Sequence, residues 1–181
     1  MDKMGKNTKK IALSAILSAA GVVLLFFGSL VEVLDLSSAA AAGFVVVIAV
    51  IELGKVYPVM IYLAVSVLAA LTLPSKFPAV FFIFFGGSYP LCKYHFERYH
   101  PAIAWVLKFS MFNMALAYMI VFVKFLVLPD DTYLADFFAN FKIVVYAVAN
   151  VVFLLYDVAM TRIICLYIVK IRKIMGFKNY F

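Results

Sequence analysis

The sequence predicts an all-α polytopic membrane protein, a bundle of six transmembrane helices with both termini in the cytoplasm. Three observations carry that expectation. The chain of 181 residues is 67% hydrophobic and only 14% charged, too little polar surface to coat a water-soluble globule. Its apolar residues fall into long runs punctuated by charges, prolines and glycines. Its Lys and Arg residues collect at the ends and in alternate loops, as the positive-inside rule requires.

Each span follows from dividing the chain at those punctuation marks, given that about 20 apolar residues cross a hydrocarbon core. A basic tail over residues 1–10 carries Lys3, Lys6, Lys9 and Lys10, and span one runs from Ile11 to about Leu34. That run is too long and its tail too polar for a cleaved secretory signal, so it is expected to be retained. Span two runs from about Ser38 to Leu53, with Ser37 or Ser38 as its N-cap, and Gly54, Lys55 and Pro58 break the chain after it. Span three covers Tyr57 to Leu73 and stops at Pro74-Ser75-Lys76. The short span four covers Pro78 to Leu91, with Gly86, Gly87 and Pro90 near its end. A hydrophilic stretch from Lys93 to His100 leads to Pro101, placed for the first turn of span five, which lasts to about Leu128. Pro129-Asp130-Asp131 ends it, and span six occupies roughly Asn140 to Val169 before a second basic tail over 170–181. The spacing of the apolar runs leaves no room for a separate soluble domain between them, so residues 1–181 read as a single transmembrane unit.

Orientation rests on charge. The two ends, the Lys55 turn and the Lys93 to His100 stretch hold most of the basic residues, whereas the opposite loops hold Glu32, Asp35, Asp130, Asp131 and Asp136 against Lys76, with Lys124 and Lys142 near the edges. Merging spans two and three into one kinked helix would leave five crossings and put Lys170, Arg172, Lys173 and Lys178 outside, against the bias. The formal charge of +7 is explained by this topology, and no basic face interleaved with aromatics points to a nucleic-acid partner. The partner that composition implies is the lipid bilayer of the cell membrane.

Ionisable groups within spans are costly and mark sites to weigh. Glu52, Lys108, Asp157 and Arg162 are expected at similar depth, where opposite charges form an interhelical ion-pair cluster, serve a proton relay, or snorkel to the headgroups. Span six also carries Lys142, Tyr146, Asn150, Asp157 and Thr161 at intervals of four or seven, one polar face. Its outer half with Asn140, together with Asn113 and Tyr118 of span five, either contacts a small-molecule ligand or makes ordinary interhelical hydrogen bonds. Span one presents Ala12, Ala15 and Ala19 on one face and Ser14, Ser18 and Gly21 on its neighbour, fit for internal packing or for docking another membrane subunit.

Catalysis has no positive sign. The sequence lacks a phosphate-cradling G-x-x-x-x-G-K-[ST] loop and the H-E-x-x-H and G-x-S-x-G arrangements of hydrolases. Cys92, His95 and His100 offer zinc donors without a fourth ligand and with the histidines five apart, so neither metal nor cofactor is expected. Cys92 and Cys165 read as reduced thiols.

The stretches Lys10-Ile11-Ala12-Leu13-Ser14-Ala15 and Glu52-Leu53-Gly54-Lys55, set in six short helices behind a Lys-rich tail, resemble the substrate-binding S components of energy-coupling factor transporters. The resemblance implies a binder of a vitamin or similar micronutrient with its pocket near the outer face. It also implies docking of Ala12, Ala15 and Ala19 on a transmembrane coupling subunit attached to cytoplasmic ATPases. Loops bearing Asp35, Lys76, Asp130, Asp131 and Tyr133 would then gate the pocket. Two other functions stay open on the residues alone: a proton-coupled secondary transporter using Asp157 and Lys108, and a non-transporting assembly or lipid-interacting protein.

Overall fold

The computed structural model describes residues 2–126 and 142–171, and these are helical almost throughout, with no strand among them. Helix α1 covers Asp2–Ser29 and α2 covers Asp35–Leu53, with a short 3-10 turn at Glu32–Leu34 between them. Helix α3 follows at Val56–Thr72. Helix α4 is a short piece, Phe77–Phe81, that runs through a π-helical turn at Phe82–Gly86 into α5 at Ser88–Phe96. Helix α6 spans Pro101–Leu126, and α7 spans Lys142–Leu166 with a π turn at Tyr167–Ile171.

Among the described residues four helical stretches are long and apolar enough to cross a membrane: Asn7–Ser29, Asp35–Leu53, Pro101–Phe122 and Ile143–Lys170. The protein is therefore a membrane protein, all-helical among the described residues. The apolar α3 is shorter, at 17 residues, and the α4 to α5 rod is broken by the π turn.

The local rules that set the boundaries are visible in the backbone. Gly54 ends α2 at φ 86°, a left-handed angle that L side chains avoid, so α2 and α3 are two helices and not one kinked rod. Pro101 is the first residue of α6, where a missing N–H costs nothing. Lys76 donates to the carbonyl oxygens of Ala70 (2.9 Å) and Leu73 (2.8 Å), supplying partners for the end of α3. One expectation fails here. Neither Ser37 nor Ser38 caps α2: the helix begins three residues earlier, after Leu34, and the Ser38 hydroxyl donates instead to the Asp35 carbonyl inside the first turn (2.9 Å).

Two cores result. Helices α1 to α4 pack through small and β-branched residues, among them Ala39, Ala42, Val46, Ala49, Val65 and Ala69. The second core, from α2, the π turn, α5, α6 and α7, is aromatic: Phe85, Tyr89, Phe112 and Phe153 with Val47 and Met160. Where the two meet, α2 and the π turn nearly touch at their backbones. A Cβ on Gly43 would lie 2.5 Å from the Gly86 carbonyl oxygen and 3.2 Å from the Tyr156 hydroxyl, and one on Gly86 would lie 2.8 Å from the Ala39 carbonyl oxygen.

On α1 the Ser14, Ser18 and Gly21 stripe is turned towards the bundle, while Ala12, Ala15 and Ala19 are exposed. These three alanines therefore take no part in the packing core described for this chain.

Candidate functional site

The aromatic core has a void on one side and a charge cluster on the other. The void is a cavity of about 520 Å³ between the start of α2, helix α4, the C-terminal half of α6 and the N-terminal half of α7. Its walls are Phe77, Phe81 and Phe85, then Phe112, Ala115 and Met119, then Val148, Ala149, Val152 and Phe153, with Leu36 and Ala40 opposite. Ser37 and Tyr156 contribute the only hydroxyls among the lining residues. The cavity exists because α7 stands off from α2 and reaches the bundle through long rings: Phe44 to Tyr156 is 6.5 Å between ring centroids, and Phe85 to Tyr156 is 5.3 Å.

Those rings form a continuous stack below the cavity. Phe112 lies flat on Phe153 at 4.5 Å, and Phe85 meets both edge-on at 5.3 and 5.9 Å. Tyr89, wholly buried, sits beneath them.

The charge cluster begins at the Tyr89 hydroxyl, which donates to the Asp157 carboxylate. The same carboxylate receives the Lys93 ammonium and, at 3.1 Å, the Lys108 ammonium. Both lysines also pair with Glu97, each at 3.0 Å. Lys93 donates to the Thr161 hydroxyl (2.8 Å), and Thr161 in turn donates to the Asp157 carbonyl (2.8 Å). Lys108 stands 5.2 Å over the Trp105 ring. Two ammoniums and two carboxylates balance, so the group as a whole carries no net charge. Lys93, Lys108 and Asp157 are buried, and Glu97, 46% exposed, is its outer edge.

Neutrality and hydrogen bonding are what make such a group tolerable away from water, because an unpaired ion there is far costlier. The same arithmetic disfavours a proton relay. Protonating Asp157 would leave two buried ammoniums facing each other across one remaining carboxylate. Lys108 does not snorkel; its ammonium is consumed inside.

The sequence-predicted residues are distributed as follows. Lys108 and Asp157 are together. Glu52 is buried at the end of α2 and Arg162 is exposed on α7, and neither is bonded to Asp157. Lys93, expected in a hydrophilic loop, is instead a helical residue 2% exposed at the cluster's centre. The signal for it lay in the spacing of Tyr89, Lys93 and Glu97, four apart on one face of a helix, complementary to Asp157 and Thr161, also four apart.

Of the residues expected to touch a ligand, Asn113 and Asn150 bond reciprocally through their amides at 3.0 and 3.1 Å. Each also donates to the carbonyl one turn back, Phe109 and Tyr146 respectively. Tyr118 is exposed and stacked on Phe84 at 6.1 Å. None of Asn113, Tyr118, Tyr146 and Asn150 lines the cavity. Asp35 is buried at the first turn of α2. Asp130, Asp131, Tyr133 and Asn140 lie outside the described residues, and of Lys142 only the backbone is described.

Comparison with protein-family models, with curated proteins and with solved structures returns no match.

Proposed function

We propose that the chain is a membrane-embedded binding subunit that captures a small, largely apolar micronutrient, and that a separate ATP-driven coupling module completes its uptake. In this reading six crossings put both termini in the cytoplasm, the cavity towards the outside and the ion cluster towards the inside. The exposed Ala12, Ala15 and Ala19 face of α1 meets the coupling subunit.

The observation that carries the reading is the cavity, whose volume suits a small molecule and which four helices line while leaving one side open. Its walls set the ligand's chemistry. The nearby amides of Asn113 and Asn150 satisfy each other, so a ligand finds rings and aliphatic carbons and few polar partners. A strongly polar vitamin would lose its hydration there without compensation. Aromatic walls around an apolar body gain dispersion contacts that an empty void forgoes.

The proton-coupled alternative asks Asp157 to change charge inside a group that needs it ionised, and it receives no support from the geometry. The lipid-interacting alternative does gain from the apolar walls, since an acyl chain presents the same chemistry as a lipophilic solute.

The test is thermal unfolding of the purified protein in nanodiscs against a panel of micronutrients graded from polar to lipophilic. A ligand at 100 times its Kd adds about 2.7 kcal/mol to the folded state. A lipophilic member is expected to raise Tm, and Ala149→Phe, which puts a ring into the cavity, is expected to abolish the rise. No shift across the panel would refute uptake binding. Phospholipid recovered from the wild type and absent from the variant would transfer the cavity to the lipid reading.

A further inference from the structure

The cavity and the ion cluster are built from the same three helix faces. On the rod that joins α4 to α5, Phe85 of the cavity wall is followed at four-residue steps by Tyr89, Lys93 and Glu97. On α7, Phe153 of the wall is followed by Asp157 and Thr161 at the same step. On α6, which runs the other way, Phe112 of the wall stands four residues from Lys108. Four-residue spacing keeps each series on one face, so wall and cluster are successive layers of a single seam.

One side chain bridges the two layers. The Tyr89 ring packs on Phe85 at 5.2 Å, on Phe153 at 5.4 Å and on Tyr156 at 5.9 Å, three of the rings that line the cavity. Its hydroxyl donates to the Asp157 carboxylate that both lysines share.

We propose that Tyr89 is a positioning residue that couples occupancy of the cavity to closure of the ion cluster. With the cavity empty, Phe81 and Tyr156, the half-buried rings of its wall, lack partner atoms on one side and are free to change rotamer, and both pack on the buried Phe85, at 5.5 and 5.3 Å. Each such change disturbs the ring of Tyr89 and the hold of its hydroxyl on Asp157. Filling the cavity confines the wall rings, which keeps Tyr89 seated and the clasp between α5, α6 and α7 shut. Coupling between two sites is reciprocal, so the closed cluster favours the filled cavity in turn. The proposal rests on the cavity being a ligand site and adds how the far end of the bundle registers the ligand.

The experiment needs no ligand. Ala149→Phe serves as a built-in occupant, and Tyr89→Phe keeps the ring while deleting the hydroxyl. Backbone hydrogen exchange is followed by mass spectrometry for the full-length protein in nanodiscs, in the wild type, both single variants and the double variant. Residues 88–97 and 157–166 report the cluster, and residues 112–119 report the cavity wall.

Ala149→Phe is expected to slow exchange in both cluster segments by about fivefold or more, the lower end of ordinary coupling between sites. In the Tyr89→Phe background it is expected to slow the wall segment still and to leave the cluster segments unchanged. Equal slowing of the cluster in both backgrounds would overturn the proposal, since the rigid helix linking Tyr156 to Asp157 would then suffice. A cluster unmoved by filling in either background overturns it as well. Ala115→Leu, a smaller addition from α6, carries the same expectations and decides the matter if the phenylalanine does not fold in. Because no ligand enters, coupling present with a flat micronutrient panel sinks the binding reading alone, and the opposite pair of results sinks the coupling alone.

Discussion

Helices α1 to α3 meet through Ala39, Ala42, Ala49 and Ala69, whereas α5, α6 and α7 meet through Phe85, Tyr89, Phe112 and Phe153. Small residues let backbones approach and leave no room between them. Rings hold backbones apart, and their packing is complete only where edges and faces find partners. The cavity therefore lies in the aromatic half, and so does the ion cluster, whose charges supply the adhesion that close backbone contact supplies elsewhere. A membrane gives helices little hydrophobic reason to associate, so each half needs one of these devices.

The comparison is broken most severely at the cluster. Asp157→Ala removes the carboxylate that Tyr89, Lys93 and Lys108 share and leaves two buried ammoniums with Glu97 alone. Loss of one partner from a buried ion pair costs about 3–5 kcal/mol, and the expected result is a large fall in thermal stability in detergent. A variant as stable as the wild type would mean that the charges do not hold α7.

The seam between the halves responds next. Gly86→Ala would place a Cβ 2.8 Å from the backbone oxygen of Ala39, which no rotamer change relieves, so α2 and the π turn must separate. Forced overpacking costs about 1–3 kcal/mol. The same separation should enlarge or distort the cavity, read as a change in hydrogen exchange at residues 112–119.

The smallest effect is expected at the Asn113 and Asn150 pair. Interhelical hydrogen bonds of this kind are worth about 0.6 kcal/mol in measured membrane cycles. Asn150→Leu should therefore shift unfolding slightly and leave ligand response intact, because neither amide lines the cavity. Loss of ligand response on this substitution would restore the polar face of α7 to the binding site and contradict the apolar reading of the ligand.

Much of this architecture was legible in the sequence. Gly54 and Pro101 mark real helix boundaries, and the apolar runs mark real helices, because backbone angles and hydrocarbon length act on local sequence. Lys108 and Asp157 stood out as charges in apolar surroundings for the same reason. Lys93 was hidden by its neighbours: between Cys92 and Tyr94, ahead of His95, Glu97 and Arg98, it reads as the start of a polar loop. The helix continues through it, and only the continuation turns its side chain inwards.

What composition and periodicity determined by themselves was the solvent of this protein, its helical class and which residues are too costly to bury alone, since these follow from transfer energies and from the chain's own repeat. Tertiary structure alone decided that Asn113 and Asn150 bond to each other, that the alanine stripe of α1 is left open, and that rings enclose a void above Asp157. Those outcomes depend on the rotation and distance of one helix against another. A helix face tolerates many partners, and the choice among them is made by contacts far apart in sequence.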